Sequence, residues 1–272
     1  RYRTLVAGAL RGLEDDRRES LLKTLAKGIS DQEMAQLLIL APFRASTWAL
    51  VDALDKAGQE KYWGDVVPDW IHDSDAESTE GVERLLKAGR PRAGFASIRL
   101  RPKKLEPELL FRLFSAMAQD SNDRPGEYML EQHSIEDAFK CLDASPTLTL
   151  EQKASLEFAY IDALGRPWDR RAKNGIPNLE RYVEAHPQFF IQAVAWTYKR
   201  KDGGVDPAEF HLPSDRVQAM AARGYKLLEA LQRVPGHNDL GELETERLAR
   251  WTASVREGCA ELDRREIGDI CL

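Results

Sequence analysis

Between residues 107 and 118, Leu109, Leu110, Leu113, Phe114 and Met117 follow the spacing of one buried helical stripe. Pro107 stands where a first helical turn tolerates a residue without an N–H. The same period recurs along most of the chain. It predicts helices over 2–13, 17–27, 31–41, 45–57, 76–88, 92–100, 106–119, 134–143, 150–164, 177–185, 187–200, 214–232 and 243–264. Two of them open on capping boxes, Ser30-Asp-Gln-Glu33 and Thr149-Leu-Glu-Gln152, in which hydroxyl and acceptor side chain satisfy backbone donors at opposite ends of the first turn. No stretch alternates in the manner of a strand, so the expected class is all-α.

The endings of these helices carry a second pattern. Leu25-Ala-Lys-Gly28, Asp55-Lys-Ala-Gly58 and Leu86-Lys-Ala-Gly89 read as glycine-terminated helix ends spaced 30 and 31 residues apart. Such an interval holds two short helices and two turns, the signature of a repeat array. The expected architecture is an α-solenoid of stacked antiparallel helix pairs, about six or seven in number. A breaker-rich stretch at 119–126 separates a regular array over 1–119 from a less regular helical half over 127–272, and a second at 199–213 reads as a long exposed loop, all within one continuous unit.

Composition narrows the classes. With 43% hydrophobic and 31% charged residues over 272 positions, the chain has the balance of a soluble globular protein. Its longest apolar run, Leu37 to Pro42, is far too short to span a bilayer, and no leader pattern opens it, so a cytoplasmic location without membrane contact is expected. The start at Arg1 without a methionine reads as a piece of something longer. Cys141, Cys259 and Cys271 are odd in number and never form a Cys-x-x-Cys pair, so reduced thiols are expected rather than a disulfide framework or zinc site.

Candidate chemistry is sparse. His72-Asp73, followed by Asp75, has the flavour of a metal enzyme, but no histidine precedes it, and an acidic loop capping the next helix accounts for it. There is neither a His-Glu-x-x-His nor a Gly-x-Ser-x-Gly, and Gly203-Gly204 reads as a turn. Neither catalytic residues nor a cofactor or metal are therefore expected.

Charge is distributed less evenly than the net −6 implies. Residues 64–83 hold seven acids and no Lys or Arg, whereas 84–104 hold eight bases and no acid. Acids near a helix start and bases near its end follow the helix dipole, which accounts for the run as far as Arg90. Arg99, Arg101, Lys103 and Lys104 lie beyond it, and Arg92 joins them as a candidate. With Arg90, Arg166, Arg170 and Arg171 they form the candidate partner-binding set. Three readings stay open: a solvated or internally paired face, a ridge docking an acidic protein, and a ridge for nucleic-acid phosphates. Trp63, Trp70 and Trp168, near turns, are read either as core or as anchors on a binding surface.

Several stretches resemble a known kind of region. Gly89-Arg-Pro-Arg-Ala-Gly94, the segments 150–160 and 179–190, Trp196-Thr-Tyr-Lys-Arg200 and Leu262-Asp-Arg-Arg-Glu-Ile-Gly268 resemble a HEAT- or TPR-like helical region of large bacterial multidomain proteins, of the signalling and antiphage NTPase type. The resemblance covers roughly 60–272 and implies a partner-sensing scaffold beside other domains. The Trp-Leu-Gly-Tyr spacing of TPR and the Thr-Pro-Leu-His of ankyrin are missing, which leaves the repeat family open. The expected function is a noncatalytic protein-interaction or sensor scaffold. The alternative is a nucleic-acid-binding repeat using the basic residues of 84–104 and 166–173.

Overall fold

The computed structural model describes residues 2–69, 74–98, 101–119, 132–164, 175–195, 197, 214–231 and 242–261. Among these the protein is all-helical, with no strand. It falls into two compact units, Arg1–Ser145 and Pro146–Leu272. The breaker-rich stretches lie outside the described residues beyond Gln119 and Thr197.

The first unit runs through α1 (Tyr2–Gly12), α2 (Asp15–Ala26), α3 (Asp31–Leu38), α4 (Ala45–Asp52), α5 (Lys56–Asp65), α6 (Asp75–Lys87), α7 (Pro91–Ile98), a 3-10 turn at Pro102–Lys104, α8 (Pro107–Gln119) and α9 (Gln132–Ala144). Packing is between neighbours in sequence: α3 lies on α5, α6 on α7 and α8, and α8 on α9. Their apolar stripes face inward. Met34, Leu38, Trp48, Val51 and Tyr62 belong to one core cluster of α3, α4 and α5. Phe95, Phe114 and Phe139 join α7, α8 and α9 through edge-on ring contacts at 5.0 and 5.4 Å.

Two of the three glycines of the expected repeat follow a helix end as read, and one does not. Gly28 follows α2 and donates to the Leu25 carbonyl. Gly58 ends nothing: Asp55-Lys-Ala-Gly58 is the start of α5, a helix absent from the sequence reading. The Asp55 carboxylate caps it by accepting the Gly58 N–H at 2.7 Å, and the Asp55 N–H donates to Asp31 at 2.6 Å. A Cβ on Gly58 would stand 3.1 Å from the Asp31 carbonyl oxygen, so glycine here permits close approach of α5 to α3. Gly89 also follows a helix end as expected, and of the three it alone takes the left-handed conformation. Its φ of +69° lets its N–H reach the Leu86 carbonyl and the Arg90 N–H reach Leu85, the paired bonds of a Schellman ending. Gly89→Ala meets no atom within 4 Å but forces a left-handed alanine. It is expected to lower the free energy of unfolding by about 1 kcal/mol, read as a lower denaturant midpoint with an unchanged m-value.

Helices α4 and α6 are aligned by a constant offset. Ala45 at the start of α4 donates its N–H to Glu77 at 2.8 Å, and Arg84 bonds Asp52 at the end of α4; both pairs are separated by 32 residues. A constant offset at two heights means that α4 and α6 run in the same direction, linked through the side chains of Glu77 and Arg84.

The second unit contains α10 (Leu150–Ala159), α11 (Ile161–Leu164), α12 (Pro177–Ala185), α13 (Pro187–Ala195), α14 (Ser214–Leu231) and α15 (Thr245–Glu261). The expected helix over 150–164 breaks at Tyr160, whose φ of −111° and ψ of 20° leave the helical region. Both capping boxes form as read, at Ser30 and Thr149. Leu179, Val183, Ile191, Val194, Leu227 and Val255 fill the core, where α13 packs against α14 and α15.

Candidate functional site

The helix that carries the change from acid to base is built as its dipole requires. Ser74 caps α6 by accepting the Glu77 N–H, Asp75 and Glu77 occupy the first turn, and Arg84 and Lys87 the last. Glu77 also reaches across to cap α4 at Ala45. Of the cations of this run, Arg84, Arg90 and Lys104 are engaged within the fold.

Arg84 forks onto both Asp52 oxygens at 2.6 and 2.8 Å and donates through Nε to Glu80 at 2.9 Å. Its guanidinium lies 6.0 and 5.5 Å from the ring centres of Trp48 and Trp63. The hydrogen bond to Asp52, above all, holds Arg84 further toward its charged form. Reciprocally, Arg84 keeps the Asp52 carboxyl below its ordinary 3.8. A depressed carboxylate stabilises the fold above its unfolded value and loses that contribution as pH falls through its folded value. The pair is therefore intact at neutral pH and fades below about pH 4. With the Asp52 side chain 48% exposed, screening limits it to about 1 kcal/mol or less. In a pH series of denaturation midpoints, Asp52→Asn is expected to be weaker than the parent at pH 7 and to converge with it at acid pH. A gap that persists in acid would show that the ion pair is not its cause.

Arg90 is 3% exposed and belongs to the interior. It donates to the carbonyls of Trp63 at 3.2 Å and Val66 at 2.7 Å, closing the C-terminal end of α5. Its place in the candidate binding set is thus structural. Arg92, on α7, is half-buried. Lys104, with 14% of its side chain exposed, pairs with Asp75 at 3.1 Å. Arg101 and Lys103 are exposed on either side of Pro102. Beyond them Arg112 pairs with Glu83 at 3.5 Å. Arg99, Arg166, Arg170 and Arg171 lie outside the described residues.

The aromatic and metal candidates resolve in part. Trp63 is core, packed edge-on against Tyr62 and Phe43 at 5.0 and 6.2 Å. Asp75 is an exposed first-turn residue of α6, while His72, Asp73, Trp70 and Trp168 lie outside the described residues. Among the described residues no group of three or more His, Cys, Asp or Glu is placed to hold a metal ion, and no helix is long and apolar enough to cross a membrane. Cys141 is half-buried on α9 and donates weakly to the Asp137 carbonyl; burial, then the Asp137 charge, pushes its thiol up, away from the reactive thiolate. Cys259 is buried on α15.

Sequence reasoning missed one buried carboxylate. Glu157, 1% exposed on α10, accepts from the Asn178 side chain at 2.6 Å, the Asn178 N–H at 3.2 Å and the Leu179 N–H at 2.6 Å. It caps α12 from another helix, as Glu77 caps α4. On α12, Glu184 pairs with Arg247 of α15, and the neighbouring Glu180 carboxyl is pushed up by burial first and by Glu184 second. Glu157 ties α10 to α12, and Glu184 ties α12 to α15.

Set against protein-family models, curated proteins and solved structures, the chain matches none of them.

Proposed function

We propose that the chain is a noncatalytic helical-repeat scaffold, with α-solenoid stacking in its first unit, that serves a larger bacterial protein by binding a protein partner across the surfaces of its helices. The observation that carries this reading is the shared 32-residue offset of Ala45–Glu77 and Asp52–Arg84. Repeats of about 30 residues stack equivalent helices parallel at such an offset. The glycine spacing of 30 and 31 residues keeps nearly the same period, although Gly58 opens a helix where Gly28 and Gly89 follow one. The engagement of Arg84, Arg90 and Lys104 inside the fold supports recognition by shape and dispersed contacts over recognition by a basic ridge.

Nucleic-acid binding is the second reading, and the exposure of Arg101 and Lys103 favours it. One titration separates the two. Fluorescence anisotropy with single- and double-stranded oligonucleotides, from about 50 to about 200 mM salt, reads phosphate contacts directly as a log–log slope. The scaffold reading expects no salt-steep binding and no difference between the parent and an Arg101→Ala, Lys103→Ala double variant. Micromolar affinity that falls steeply with salt, and whose slope flattens by ~0.7–0.9 for each cation removed, would replace it with nucleic-acid recognition.

A further inference from the structure

We draw no further inference here: the strongest candidate, the exposed apolar face that Leu5 and Val6 of α1 and Leu21 and Leu25 of α2 present in the first unit, carries nothing because nothing in the structure shows what covers it.

Discussion

Gly224→Ala is expected to destabilise the second unit by about 3 kcal/mol, lowering its thermal transition by roughly 10 °C. Gly224 sits where α14 crosses α13. A Cβ there would stand 2.7 Å from Thr197 Oγ1 and 3.0 Å from the Ala193 carbonyl carbon, with the carbonyl oxygen closer still. The threonine can rotate at the cost of its bond to the Ala221 carbonyl, but the Ala193 carbonyl is backbone and moves only with α13. Alanine's advantage over glycine within a helix is about 1 kcal/mol, so the collision decides the sign. Two comparisons make the expectation sharp. Gly258→Ala meets the flexible tip of Ile191 at 2.5 Å and should cost less, and Gly8→Ala in α1 meets nothing within 4 Å and should be neutral or slightly stabilising. Calorimetry of the whole chain reads the order, and hydrogen exchange at α13 and α14 places the loss. A Gly224→Ala protein as stable as the Gly8→Ala protein would mean that the crossing is looser than described.

The elements that could be read from sequence are those whose information is local. Ser30 and Glu33, or Thr149 and Gln152, lie three residues apart and bond each other, so the pattern contains the whole interaction. The stripe of α8 is equally self-contained. Helix α5 is the opposite case. Its sequence, Lys-Ala-Gly-Gln-Glu-Lys-Tyr-Trp-Gly-Asp, has no continuous apolar stripe, and its glycine looks like a stop. What holds it is the Asp55 cap together with packing on α3, and the α3 half of that arrangement lies about 25 residues upstream.

The candidate site was hidden for the same reason. Arg90 is one cation in a run of eight, and no local pattern reveals that the last carbonyls of α5 stand within its reach. Its neighbours Arg101 and Lys103 have the same sequence character and remain on the surface. A basic run therefore records composition, while the fate of each cation is settled by which acid, carbonyl or ring the fold brings beside it. Asp52 beside Arg84 and Asp75 beside Lys104 are such outcomes.

Glu157 gives the second large expectation, and it tests how far helices in the second unit depend on caps supplied by their neighbours. Pro177 opens α12 and lacks an N–H, so Asn178 and Leu179 carry its first backbone donors, and both point at the Glu157 carboxylate. Glu157→Ala leaves those two N–H groups and the Asn178 amide in a site closed to water, where an unmet donor costs about 1–3 kcal/mol. Removal of the negative charge from a helix N-terminus adds to the loss. The expected destabilisation is about 3 kcal/mol, with hydrogen-exchange protection falling first at the N-terminal turn of α12 and the α10 face beneath it. Glu157→Gln keeps one carbonyl acceptor but not the charge, and should fall between the parent and alanine. If the glutamine and alanine proteins prove equally unstable, the charge rather than the acceptor geometry holds α12. If both match the parent, another group caps α12 and the buried carboxylate is not what joins it to α10.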